Sequence, residues 1–217
     1  MLSMTEQKPL DEILEFLKKY QRIYIIGCGT CTTVLHTGGK DEVLKMKKIL
    51  EDSGKSVTGW MVIPTACDTL TKDALQDAGK PFEEAQAVLV MSCAYGIQNV
   101  ALYTGKAVYP AVNTLFMGKE DKDGTFAEVC AQCGNCKLGK TAAICPIVRC
   151  AKSLQNGPCG GSVDGKCEVD PNTPCAWHQI IDRLSALGEL EKLEEIVTAQ
   201  DWSKSQSGGP RRKIVIS

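Results

Sequence analysis

Twelve cysteines set the limits on how this chain folds, and eight of them fall between Cys130 and Cys175. That stretch is rich in Gly, Asn and Pro and holds few large apolar residues, so it cannot bury a conventional core. Bound metal is the ordinary substitute for such a core. The spacing points the same way. Cys130-Ala-Gln-Cys133-Gly-Asn-Cys136 is followed by Cys145-Pro146. Two consecutive CxxC steps and a Cys-Pro are the local grammar of a cubane-binding loop. Three thiolates wrap one cluster face while loop amides point at its sulfides. Twelve is three sets of four, and four thiolates close either an iron–sulfur cluster or a tetrahedral zinc site.

Charge and hydropathy narrow the partners. A net charge of −1 argues against nucleic acid, because counterion-releasing binders are markedly basic. No apolar run reaches the length of a membrane span, so no transmembrane segment is expected. The first twenty residues lack the basic-then-apolar pattern of a signal peptide. Leu10, Ile13, Leu14 and Leu17 repeat at helical spacing instead and predict an amphipathic helix. The expected location is the cytoplasm, where thiols stay reduced. Clustered cysteines there hold metal or do redox work rather than pair as disulfides.

The first half alternates strand and helix signals. Residues 22–27, 57–64 and 85–92 read as buried strands. Residues 40–54, 68–78 and 95–103 read as helices, and residues 107–116 supply a last strand. This order predicts an α/β domain over residues 1–124 with a mainly parallel, doubly wound sheet. Cys28 follows the first strand and Cys31 lies in the turn after it. Cys67 follows the second strand and Cys93 the third. In a parallel sheet all carboxyl ends share one rim, where such folds bind ligands. Four thiols distant in sequence are therefore expected to converge on one metal site. The plainer reading makes Cys67 and Cys93 small buried hydrophobes, but it does not account for four on one rim. Cys28-Gly-Thr-Cys31 has a weak dinucleotide-loop flavour without being GxGxxG. Gly38-Gly39-Lys40 reads as a turn before a helix rather than a phosphate loop.

Asp121 to Gly124 is a polar hinge. Beyond it, residues 125–200 are expected to form a small cysteine-rich, metal-stabilised domain with terminal helices. Residues 201–217, Gly/Ser-rich and then basic, are expected to be a flexible tail. The simple partition gives Cys130, Cys133, Cys136 and Cys145 to one centre and Cys150, Cys159, Cys167 and Cys175 to another. In two-cluster ferredoxins the Cys before Pro serves the other cluster, which leaves a second partition open. Thiolates alone also leave one of the three sites open to zinc. His178 opens a helix running to about residue 187, and reads as an exposed or capping residue rather than a ligand. A second helix is expected over residues 187–199, with Leu190, Leu193 and Ile196 at core spacing.

The string Cys145-Pro-Ile-Val-Arg-Cys150-Ala-Lys-Ser-Leu-Gln-Asn-Gly-Pro-Cys159-Gly-Gly-Ser, then Gly165-Lys-Cys167-Glu-Val and Cys175-Ala-Trp177, carries a resemblance. It is similar to the C-terminal cysteine-rich module associated with bacterial methylenetetrahydrofolate reductases. The Gly27-Cys28-Gly-Thr-Cys31 lobe resembles the separate small subunit of the acetogen-type reductase, and the likeness runs over residues 10–200. That family's small subunit carries iron–sulfur clusters and partners a flavin-bearing barrel subunit that reduces methylene- to methyl-tetrahydrofolate. The resemblance implies two or three [4Fe–4S] clusters bound by all twelve cysteines. It also implies electron relay to the flavin, in the one-carbon branch of acetyl-CoA synthesis, with an upstream redox protein as donor. The chain is too short for a barrel of about 250 residues, and two histidines are few for general-base chemistry. Catalysis is therefore expected on the partner. One alternative is a zinc-stabilised assembly module that moves no electrons. Another is an enzyme in its own right, with an open metal position or a reactive thiol on the N-terminal rim.

Overall fold

The computed structural model describes residues 1–120 and 124–205, and the chain divides into two compact units, Met1–Phe126 and Ala127–Ser217. The first unit opens with a strand, β1 (Leu2–Gln7), that hydrophobic periodicity does not reveal. Its inward residues are Ser3 and Thr5, so the alternation places polar groups inside. Thr5 Oγ1 finds a buried partner in Thr37 Oγ1 at 2.6 Å. The expected amphipathic helix follows as α1 (Leu10–Phe16), with Ile13 and Leu17 fully buried.

Next come β2 (Arg22–Cys28), the single-turn α2 (Cys31–Val34), and α3 (Lys40–Asp52). Gly39 starts α3, and its N–H donates to Glu42 Oε2 at 3.1 Å, so Gly38-Gly39-Lys40 is a helix entry. The chain continues through β3 (Ser56–Ile63), α4 (Thr71–Asp77), α5 (Gly79–Glu84), β4 (Ala87–Met91), α6 (Ala94–Leu102) and β5 (Ala107–Pro110).

These four strands form one parallel sheet in the order β3-β2-β4-β5. The central strands β2 and β4 are buried on both faces, which explains why they read as continuous apolar runs. Ile23, Ile25, Leu89 and Met91 pack with Ile13, Leu17, Val43, Met46 and Leu50 on one face. Tyr24, Ile26, Val88 and Val90 pack with Leu75, Phe82 and Val100 on the other. Helices thus cover both faces and the sheet is doubly wound, as the sequence predicts.

The single last strand expected over residues 107–116 is two. β5 ends at Pro110, which has no N–H to continue a ladder. The chain turns there, and β6 (Val112–Glu120) runs antiparallel to β1. A second sheet results, in the order β1-β6-β7, with β7 at Phe126–Glu128.

In the second unit regular structure is sparse. Among the described residues it holds α7 (Pro146–Arg149), α8 (Ala176–Leu187) and three 3-10 turns, at Leu138–Lys140, Leu190–Leu193 and Trp202–Lys204. Its apolar cluster is Trp177, Ile180 and Leu184, ringed by Ala142, Ile144, Cys150, Leu154 and Cys175. The helix expected over residues 187–199 does not form. Gly188 takes φ 69°, the left-handed stop of α8, and Glu189 N–H returns to Leu184 O at 2.9 Å. Leu190, Leu193 and Ile196 are exposed. Most of the hinge at residues 121–124 and the tail beyond residue 205 lie outside the described residues.

Candidate metal centres

The rim of the parallel sheet places four thiols. β2 ends at Cys28, Cys31 opens α2, Cys67 sits in the loop between β3 and α4, and Cys93 starts α6 directly after β4. The chain leaves β2 toward β3 on one side and returns past it to β4 on the other. The carboxyl ends of β2 and β4 are therefore the switch point of the sheet, the usual crevice of such folds. Cys28 and Cys93 are buried, Cys31 is half-buried and Cys67 is exposed. Burial pushes the Cys67 thiol above its ordinary range. Negative charge on Cys93 and Cys28, and less on Cys31, pushes it further.

Hydroxyls that the sequence analysis passed over lock these loops. Thr33 Oγ1 donates to Cys28 O at 2.6 Å, and Thr32 Oγ1 to Met91 O at 3.1 Å. The first cysteine loop is thereby tied to the ends of β2 and β4. Thr71 Oγ1 and Asn99 Nδ2 both donate to Ala66 O, at 2.9 and 3.0 Å. Asn99 also reaches Asp68 O at 2.7 Å, so both carbonyls flanking Cys67 are held. Ala66 N–H in turn points at Cys28 Sγ, 3.5 Å away. The Thr32-Thr33 pair directly after CxxC was the available signal.

In the second unit the later cysteines are gathered. Cys150, Cys159, Cys167 and Cys175 line one pocket with Arg149, Lys152, Ser162, Glu168 and Trp177. This is one of the two sets in the simple partition. Cys150 closes α7 and Cys175 opens α8, so the short helices aim two of the four. Gly161 N–H points at Cys159 Sγ at 3.4 Å. Cys130, Cys133 and Cys136 share one loop, where Gln132 N–H approaches Cys130 Sγ at 3.4 Å, and Cys145 opens α7. Amide-to-sulfur contacts of this kind suit thiolate ligands. His178 is exposed, and its Nε2 lies 2.8 Å from Ser162 Oγ.

Soft sulfur donors, with backbone amides aimed at Cys28, Cys130 and Cys159, suit a thiophilic metal in their chemistry. Among the described residues, no three His, Cys, Asp or Glu side chains stand as a preformed ion-holding group. Loading would require the thiols to re-aim, as in small metal-folded units whose sites assemble only with metal.

These features define a class: a two-unit α/β protein with thiols along a strand-end rim and a second unit that combines eight cysteines with a small apolar cluster. Within that class, residues 109–203 match the family model described as methylene-tetrahydrofolate reductase C terminal. The matched segment contains all eight cysteines of the second unit, while Cys28, Cys31, Cys67 and Cys93 precede it. No curated protein and no solved structure matches the chain. Among the described residues, no helix is long and apolar enough to cross a membrane.

Proposed function

We propose that this chain is an iron–sulfur electron-transfer subunit relaying electrons to the flavin subunit of a methylenetetrahydrofolate reductase complex. The observation that carries the reading is the pocket formed by Cys150, Cys159, Cys167 and Cys175, inside the segment similar to that reductase family. Bound clusters supply one-electron redox chemistry. The chain's own residues then present thiolates, aim amides at sulfur and shield the centres from water. At the rim, Thr32, Thr33, Thr71 and Asn99 hold the loops of Cys28, Cys31 and Cys67, while Cys93 follows β4 directly. The first unit's sheet has four parallel strands, not the eight of a barrel. Folate reduction is accordingly assigned to the partner, and an upstream redox protein to the donor's place.

One observation favours a second reading for one site. The pocket that the four cysteines help to line has a volume of about 20 Å³, room for a single water-sized body. That volume is nearer the size of one zinc ion than of a cubane, and either metal requires the thiols to re-aim. A zinc-stabilised assembly module is therefore the alternative. Anaerobic purification followed by iron, sulfide and zinc analysis separates the two. Iron and sulfide sufficient for two or three cubanes, with a broad visible absorption, is the expected result. A colourless protein carrying zinc without iron would reject electron relay.

A further inference from the structure

Leu190, Leu193 and Ile196 follow one another at intervals of three, and the fold leaves them at the surface. Leu190 and Leu193 belong to one 3-10 turn, where side chains three apart eclipse and so share a face. They are 44% and 38% exposed, and Ile196 is 82% exposed. Single apolar side chains on a surface need no explanation, but a group of them is the mark of a contact site.

Beside this face lies a cavity of about 160 Å³, whose walls include Leu193, Val197, Trp177 and the turn from Gln155 to Pro158. The walls are tied together. Asn156 Nδ2 donates to Val197 O at 2.9 Å, and Val197 N–H returns to Asn156 Oδ1 at 2.7 Å. Trp177 Nε1 donates to Leu154 O at 3.0 Å, which leaves the cavity the apolar part of the indole. One polar atom is left over. Gln155 Oε1 is buried and meets no donor among the described residues. Buried acceptors are ordinarily paired, so this one calls for an N–H or O–H from an occupant.

Charge narrows the occupant. Lys140 pairs with Glu195 and Lys192 with Glu189. Glu191 and Glu194 are exposed and have no partner among the described residues. The site is thus apolar at its centre, holds an unused acceptor in its wall and is acidic at its edge. It suits an extended segment that is basic and then aliphatic. The same chain carries such a segment, Arg211-Arg-Lys-Ile-Val-Ile216. Alternate side chains of an extended segment share a face, which would set Ile214 and Ile216 side by side. A cavity of roughly 150 Å³ takes a benzene-sized body, hence one isoleucine side chain. Ile214 lies nine residues beyond Ser205, a span of up to about 30 Å. A unit of this size has a radius of gyration of about 12 Å, so the segment is long enough to reach its own unit's cavity.

We propose that the cavity and the Leu190–Leu193 face form a docking site for residues 211–216 of the same chain. One isoleucine enters the cavity and the other covers Leu190 and Leu193. A backbone N–H of the segment meets Gln155 Oε1, and its basic residues lie against Glu191 and Glu194. Pro158 leads directly into Cys159, and Trp177 follows Cys175 by two residues. The docked segment therefore braces the loops of two cysteines, and it does so whether or not metal is bound.

The test is hydrogen exchange on the full chain, read by mass spectrometry in the amides of residues 189–197. Wild type is compared with Ile214→Asp/Ile216→Asp, with Arg211→Glu/Arg212→Glu, with Glu191→Lys/Glu194→Lys and with the two charge reversals combined. Glu191 and Glu194 are exposed, so their replacement leaves the packed residues in place. Each double variant is expected to exchange several-fold faster than wild type over residues 189–197 and the turn before Cys159. The combined reversal should return to the wild-type rate, because opposite charges face one another again. Wild-type exchange in Ile214→Asp/Ile216→Asp would overturn the proposal. So would charge reversals that the combination does not restore, or a rise spread equally over the first unit's sheet. Protection that falls on dilution, together with a dimer in sedimentation, would give the site to a second copy and overturn docking within one chain.

Discussion

Gly38 lies under the rim of the parallel sheet, where a Cβ would fall 1.9 Å from Met91 O. The obstacle is backbone, which cannot swing aside as a side chain can. Gly38→Ala is therefore expected to destabilise the first unit by about 1–3 kcal/mol, the usual cost of overpacking. The midpoint of chemical denaturation measures it, and a wild-type midpoint would contradict the tight approach. The rim thiols give a second test at this scale. Cys28→Ala and Cys67→Ala should lose the same metal equivalent and keep the centres of the second unit. Loss of different metals would break the shared site. A third concerns Asp170, in the loop between Cys167 and Cys175. The Thr173 hydroxyl, and then the Asn172 amide, hold its carboxyl below the usual carboxylate range. A carboxyl lowered on folding stabilises above its unfolded value, and that contribution is lost as pH falls through the folded one. Protease cleavage in this loop should rise on acidification below the ordinary carboxylate range, and Asp170→Ala should abolish the rise. A loop in the native chain that stays closed across that range would count against the bracing.

Elements differ in what holds them. α1 and α3–α6 rest on a sheet with two buried faces, whereas α8 rests on a cluster built from three of its own buried side chains, Trp177, Ile180 and Leu184. On the metal reading, ligation supplies several kcal/mol of the second unit's folding free energy. Chelation should then make the segment from Cys130 to Cys175 protease-sensitive before the first unit. Equal resistance of both units after metal removal would contradict this. The same contrast explains what was legible in the sequence. β2 and β4 were readable because burial on two faces demands apolar runs, and α3, α4 and α6 because of 3.6-residue periodicity, whereas the short helices α2 and α5 went unread. Cys28, Cys31, Cys67 and Cys93 were readable as a group because strand direction fixes which ends share a rim. β1 was hidden because Ser3 and Thr5 point inward, and the split between β5 and β6 because Pro110 looks innocuous in an apolar run. The helix expected beyond residue 187 failed because Gly188 stops α8 and no described residue buries Leu190, Leu193 or Ile196. The cavity beside Leu193 joins residues far enough apart that only the folded loops show it.

At the scale of the whole molecule, the account divides labour between two chains. On the proposed function, this one would contribute sulfur-bound metal and a small α/β frame, and the partner would contribute the flavin and the folate site. Alone, the chain should accept electrons from an artificial reductant and show no turnover of methylene-tetrahydrofolate. Turnover by the isolated chain would move it into the enzyme class and make the rim thiols the first place to look. The most direct test of electron relay is reconstitution with the flavin subunit under anaerobic conditions. Methylene-tetrahydrofolate reduction from the physiological donor is followed with and without this chain, with rapid-mixing absorption recording both chromophores. The account predicts turnover that depends on the chain, with bleaching of its visible absorption coupled to flavin reduction. Unchanged turnover by the flavin subunit with this chain left out would contradict it.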